Sequence, residues 1–268
     1  MARRWTQKEE TKFYKELHRL YIIQNKTIRE IGKELSISEQ GVYDRLIRLK
    51  IKTQRHKKQG FNNQKGHVTI PKKSQELAEF IGILLGDGHI SYFQTIVTLG
   101  NKEEAYVRYV AALMERLFHI QPKVLLRKSG HWQVYFGSVV ITRWLYKQGL
   151  VSHKVKSQVG VPKWIFENRR FVSACLRGFF DTDGSVYKLK FGTQLSFSNR
   201  SRRLLGDLRM MLKLLKYTPS EVSSACFYLT RNSEIRRFFK DIAPANVKHQ
   251  MRFREFMRRS DSGYSRRL

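Results

Sequence analysis

Apolar positions in the first fifty residues recur at helical spacing, and polar residues mark where each helix begins. Thr6-Gln7-Lys8-Glu9 has the form of a capping box and predicts a helix to about Gln24, with Phe13, Leu17 and Leu20 on one side. Thr27-Ile28-Arg29-Glu30 is a second box and opens a short helix to about Leu35. Ser36-Ile37-Ser38 reads as a turn, and Ser38 caps a third helix to about Leu49. Ile31, Leu35, Ile37, Val42 and Leu46 form the expected core, with Gly32 where two helices cross closely. This is the layout of a helix-turn-helix.

From Lys50 to about Lys73 the pattern stops. The stretch is polar and basic, holds two glycines and a proline, and reads as a linker. Beyond it the pattern repeats. An apolar helix, Glu76 to Gly88, is followed by the strand-like runs HISYF and TIVTL and a helix over Lys102–Phe118. Then come KVLLRK and HWQVYF around Ser129-Gly130, and a helix over Ile141–Gln148. The second copy opens with Phe171 to Gly184. It continues with VYKLKF and TQLSFS around Gly192, a helix over Ser201–Leu215, SEVSS and FYLTR, and a helix over Ser233–Ile242. The expected fold class is therefore α+β: two pseudo-symmetric αββαββα repeats, each with an antiparallel sheet, behind a small all-α helix-turn-helix domain. The expected boundaries are 1–52 for the helix-turn-helix, 53–73 for a basic linker, 74–168 and 169–259 for the two repeats, and 260–268 for a basic tail.

Charge adds a partner. The chain of 268 residues carries 52 Lys and Arg against 22 Asp and Glu, a net charge of +30. Residues 1–70 hold 17 basic and 7 acidic residues, so both halves are cationic. Such a surface calls for a polyanion, nucleic acid before a membrane surface, because no basic amphipathic helix with exposed large apolar residues stands out. The hydrophobic share, 41%, is enough for a real core. Two cysteines, Cys175 and Cys226, give neither a disulfide framework nor zinc spacing. No apolar run reaches a membrane span and no secretory signal is read at the start. The expected location is cytoplasmic and nucleoid-associated, or an organellar matrix, not secreted.

The chemistry sits at two helix ends, Phe80 to Gly88 and Leu176 to Gly184. Each places small residues four apart, Gly82 and Gly86 in one and Gly178 and Thr182 in the other, on one helix face. Glycine inside a helix costs about 1 kcal/mol against alanine, which close packing of the two helices offsets. Asp87 and Asp183, 96 residues apart, then project side by side from one end of the pair. Two close carboxylates repel each other, and a divalent cation removes the conflict. Mg²⁺, with Mn²⁺ as a substitute, fits oxygen ligands and can activate water against a phosphodiester. The expected metal set is Asp87 and Asp183 with the preceding Gly86 and Thr182.

These helices resemble the paired motifs of the LAGLIDADG homing endonucleases in their two-motif, single-chain form, over roughly Gln75 to Arg259. The first motif departs at Leu85, where the family often has Asp; the second keeps Asp181. The resemblance implies that Asp87 and Asp183 are the essential metal-binding carboxylates. It implies that Asn101 and Asn199 position water at the ends of the second strands. It also implies that Lys156 and Lys248 stand by the scissile phosphates, with Lys154 and His249 close enough to be confused with them. The implied activity is sequence-specific cleavage of both strands of a long, asymmetric double-stranded DNA site across the minor groove. The implied agent is a monomer of free-standing or intron-encoded origin. The rival readings are a maturase bound to intron RNA and a catalytically inert DNA-binding regulator.

DNA contacts follow from strand alternation. Leu189, Leu195, Phe197, Val97 and Leu99 read as core. Tyr92, Thr98, Arg127, His131, Gln133, Lys188, Lys190, Gln194, Ser196 and Ser198 read as outward. Arg55, Lys57 and Lys58 suit a strap along phosphates. Residues 27–46 also resemble the helix-turn-helix units of bacterial regulators and resolvase-like proteins, which puts Gln40, Tyr43, Arg45 and Arg48 on the groove-facing helix.

Overall fold

The computed structural model describes residues 6–24, 26–51, 68–190 and 192–264, with side chains through Met257. Arg55, Lys57 and Lys58 lie outside the described residues. The chain divides into two compact units, 1–61 and 62–268.

The first unit holds α1 (Gln7–His18), α2 (Ile28–Glu34) and α3 (Glu39–Arg48). Both capping boxes form, and Ser38 caps α3 through the Gly41 N–H. The first helix does not run regularly to Gln24. After His18 the chain widens into a π-helical turn, Arg19–Ile23, closed by Gln24 N–H to the Arg19 carbonyl at 2.8 Å. The turn leaves the consecutive residues Leu20 and Tyr21 both buried, beside Leu17, Ile31, Val42, Leu46 and Ile51. Gly32 is required for a different contact than a helix crossing: a Cβ there would lie 2.8 Å from the Ile37 carbonyl, in the turn before α3.

The second unit is built on two long helices, α4 (Gln75–Leu85) and α7 (Arg169–Asp183). Apolar side chains from both fill a single core with the sheets around them. At Gly82 a Cβ would lie closer than 3.0 Å to the Cys175 carbonyl, and at Gly178 to the Glu79 carbonyl. The two backbones therefore touch where the glycines stand. Near the far end of the seam, Glu79 is buried, accepts the Tyr109 hydroxyl at 2.6 Å and pairs with Arg177.

Each helix leads into an antiparallel sheet. The first holds β1 (Gly88–Ile90), β2 (Gln94–Gly100), β3 (Lys123–Leu126) and β4 (His131–Gly137), in the order β1-β2-β4-β3. The helix α5 (Glu104–Phe118) links β2 to β3, and α6 (Val139–Lys147) follows β4. The second sheet holds only β5 (Gly184–Lys188), β6 (Thr193–Ser198) and β7 (Cys226–Leu229), in that order, with α8 (Arg202–Leu214) before β7 and α9 (Asn232–Asp241) after it.

The expected strand SEVSS does not form. Only fragments of a ladder remain: the Ser220 N–H reaches the Tyr228 carbonyl at 2.9 Å and Ser223 makes an isolated bridge to Cys226, while the Tyr228 N–H goes to the Ser220 hydroxyl at 3.0 Å and Pro219 has no N–H to give. Leu189 is not core: β5 ends at Lys188, and Leu189 stands 41% exposed in the hairpin turn. Beyond α9 the chain forms α10 (Val247–Tyr264), which runs through most of the expected tail. It is held by Phe253 stacked on Phe239 at 4.0 Å and by buried Met257. Among the described residues no helix is long and apolar enough to cross a membrane.

Candidate active site at the paired helix ends

The seam between α4 and α7 delivers Asp87 and Asp183 to one place. A Cβ on Gly86 would sit 3.4 Å from the Asp183 carboxyl carbon, so the end of α4 lies against the Asp183 side chain. Burial, then the neighbouring Asp183 charge, pushes the Asp87 carboxyl up to about 6; Lys248 and Lys154 pull it the other way. Asp183 is also raised by burial, against the Asn199 hydrogen bond and the same two lysines. Two ionised carboxylates in one half-buried site are thus in conflict. The two carboxylates are an all-oxygen donor set, which suits a hard divalent cation. Asp87 and Asp183 would hold it. Among the described residues no group of three or more metal-ligating side chains is present.

The two lysines flank the carboxylates differently. Lys154 is largely buried and donates to the carbonyls of Leu84 (3.1 Å), Leu85 (3.2 Å) and Gly86 at the open end of α4. Those carbonyls carry the negative end of the helix dipole, so the ammonium caps it. Burial lowers the Lys154 pKa, and Asp183 and Asp87 oppose the shift. Lys248 instead pairs with Glu103 at 2.6 Å. Glu103 also accepts Asn246 Nδ2 at 2.7 Å and the Gly100 N–H at 2.6 Å. Burial pushes Glu103 up, but Lys248, Asn246 and the Gly100 N–H hold it net below the usual carboxylate range.

The expected residues fall as follows. Asp87, Asp183, Lys248 and Asn199 meet; Asn199 donates to Asp183 at 2.9 Å. Lys156 does not join them: it is exposed on the surface, and Lys154, two residues earlier, takes the place. Asn101 is exposed, and its backbone carbonyl, not its side chain, is engaged, by Trp132 Nε1 at 3.2 Å. Gly86 and Thr182 stand at the same helix ends, and their oxygens already have partners. The Gly86 carbonyl is taken by Lys154, and the Thr182 hydroxyl bonds its own helix at Gly178 and Phe179. His249 belongs to the core, its ring 4.8 Å from Phe180, and burial followed by the Lys248 charge pushes it down to about 3.

On the sheets, Thr98 is paired with Gln133, and Gln133 accepts Arg127 Nε at 2.7 Å, so these three share one face. His131 bonds the Ser129 hydroxyl at 3.1 Å, and Tyr92 is 64% exposed in the first hairpin. In the second sheet Gln194 and Ser198 are accessible, but Ser196 is buried on the central strand β6, between Ser185 and Tyr228. Lys188 pairs with Thr193 in the register shared by Val186 and Leu195. It therefore leaves the sheet on the opposite side from Gln194, and Tyr187 stands beside Gln194 instead. Lys190 is exposed in the turn.

In the first unit Tyr43 is exposed and Gln40 donates to Asp44 at 2.8 Å. Arg45 and Arg48 do not project freely. Arg45 lies over Phe13 at 5.0 Å and Arg48 pairs with Glu10 at 3.1 Å, both across to α1.

Glu103 and Asn246 escape sequence reasoning. Glu103 sits among polar loop residues, and its side-chain partners Asn246 and Lys248 lie more than 140 positions away.

Residues 170–243, most of the second repeat, match the LAGLIDADG-like domain. Over those residues the chain is similar to that domain. Its matched stretch covers α7 with Asp183, both hairpin strands, α8, β7 and α9. A curated relative is the replication factor C small subunit of Methanocaldococcus jannaschii, 30% identical over 136 residues, which is 50% of this chain and 7% of that protein. The chain thus aligns with only a small part of that relative's length. Among solved structures, full-length DUF199/WhiA from Thermatoga maritima is 16% identical, covering 71% of this chain and 63% of that one, with a TM-score of 0.49. The meganuclease I-AabMI bound to uncleaved DNA is 13% identical over 70% of this chain and 92% of that one, at 0.47. I-DmoI in complex with DNA and Mn is 15% identical over 64% and 97%, at 0.46.

Proposed function

We propose that this chain is a sequence-specific, divalent-metal-dependent DNA endonuclease of the homing type, cutting both strands of a long asymmetric site. The reading rests on one observation: two like helices, in contact through glycines, bring Asp87 and Asp183 together between two lysines on a chain of net charge +30. A cation such as Mg²⁺, when bound there, supplies activated water and charge stabilisation at the phosphodiester. The chain's own residues do the rest. Asp87 and Asp183 hold the cation, and Asn199 fixes the Asp183 carboxylate in orientation. Lys154 and Lys248 flank the carboxylates and would meet the negative charge that grows on phosphate oxygens, Lys248 once it leaves Glu103. The unequal sheets, four strands and three, suit an asymmetric site, read by Thr98, Arg127 and Gln133 on one side and Gln194 and Ser198 on the other. The protein would act as a monomer with both motifs in cis, inside the cell and free-standing or intron-encoded.

The test uses supercoiled plasmid carrying duplex sites selected by binding from a random-sequence library. Linear product with Mg²⁺, lost in Asp87→Asn and Asp183→Asn while binding persists, supports the reading. Binding without any nick under Mg²⁺ or Mn²⁺ replaces it with an inert DNA-binding protein.

A further inference from the structure

The two halves of the site are built alike but furnished differently. In the loop before α8, Asn199 donates a hydrogen bond to Asp183. In the matching loop before α5, the residue that reaches the carboxylates is Glu103, a third negative charge beside Asp87. Asn101, two positions before Glu103, faces solvent. The lysines follow the same split. Lys154 rests on backbone carbonyls and has no carboxylate in ion-pair contact among the described residues. Lys248 is neutralised by Glu103 at 2.6 Å.

That latch is anchored at both ends. Glu103 is pinned by the Gly100 N–H at 2.6 Å and by Asn246 Nδ2 at 2.7 Å. Asn246 is buried, and its side chain also bonds the Asp181 carbonyl at 3.0 Å and accepts the Lys248 N–H at 3.2 Å. The Asp181 carboxylate holds the same segment from below, accepting the N–H groups of Ala245 at 2.8 Å and Asn246 at 3.0 Å. To meet a phosphate, Lys154 has to leave neutral carbonyls at a helix end, whereas Lys248 must leave a full negative charge that is itself held on both sides.

We propose that the protein opens the two DNA strands in order, the strand served by Lys154 first, with Glu103 as the positioning residue that delays the other by holding Lys248. The inference rests on the endonuclease reading above and concerns the regulation of that same site.

A library-selected duplex, labelled on each strand in turn, is followed with Mg²⁺ in the wild-type protein and in Glu103→Gln, which keeps the shape of the side chain. The expected result is a nicked intermediate in the wild type, with strand rates differing about fivefold or more. In Glu103→Gln the ratio falls toward one. A second arm needs no metal: affinity for the duplex in EDTA as a function of salt. Freeing Lys248 steepens the log–log slope by about 0.9 in Glu103→Gln. The double variant Glu103→Gln/Lys248→Met returns the slope to the wild-type value. Equal strand rates in the wild type overturn the strand order. An unchanged ratio and slope in a folded Glu103→Gln overturn the role of Glu103. Absence of cleavage on both strands removes the endonuclease reading itself, an outcome distinct from equal cleavage of both.

Discussion

Asp87 is more useful than stable where it stands. Its carboxyl is raised from 3.8 to about 6 by burial and by Asp183, so in the metal-free protein its ionisation opposes folding. The sign follows: with the folded pKa above the unfolded one, the penalty is full above pH 6, shrinks as pH falls and is gone below about 3.8. Asp87→Asn should therefore raise the metal-free melting temperature at pH 8 while abolishing cleavage, a gain of up to about 3 kcal/mol that vanishes near pH 4. Thermal melts of both proteins across that range check it; a lower melting temperature at pH 8 contradicts it. The lysines give a sharper contrast. Lys154→Met should reduce cleavage by at least about a hundredfold, and Lys156→Met should leave the cutting rate nearly unchanged, as single-turnover rates would show. The choice between those two lysines was not legible in the sequence. SHKVKSQ places them two apart in an irregular loop with no periodicity to orient either, and the three carbonyls that capture Lys154 belong to a helix some 70 positions earlier.

At the scale of elements, the helix pair was the most readable part of the chain, because small residues four apart and a terminal Asp-Gly announce a close crossing without knowledge of the partner. The contact is backbone on backbone, so it leaves no room for relaxation. Gly178→Ala puts a Cβ inside contact with the Glu79 carbonyl and should cost more than about 3 kcal/mol, in line with overpacking of a rigid core. Gly206→Ala, on α8 with nothing near its Cβ, should stabilise by up to about 1 kcal/mol. Chemical denaturation of the two variants separates the seam from ordinary helix propensity. Elements whose boundaries depend on partners were less readable. SEVSS has strand composition but keeps only an isolated bridge at Ser223 and one bond from Ser220, because Pro219 has no N–H and the Ser220 hydroxyl takes the Tyr228 N–H. α10 is hidden by its charge, since its few apolar residues, Phe253 and Met257, find their partners only in the folded core. The strand pattern placed Leu195 and Phe197 correctly and missed Lys188, because the hairpin turns one residue earlier than the alternation suggests.

At the scale of the whole molecule, two units with separate cores carry the cationic charge between them. Residues 62–268 alone should fold cooperatively and retain cleavage, while binding weakens and its salt dependence flattens as fewer phosphates are neutralised. An unchanged salt slope would show that the helix-turn-helix unit makes no contact in that complex. Cleavage at the paired helix ends depends on that place being a cation site. Crystals of the full chain with a library-selected duplex, soaked in Mn²⁺, test this through anomalous scattering. Density is expected at the carboxylates of Asp87 and Asp183, absent in the double Asp→Asn variant. Density only elsewhere, or none in crystals where both carboxylates face the duplex, would contradict it.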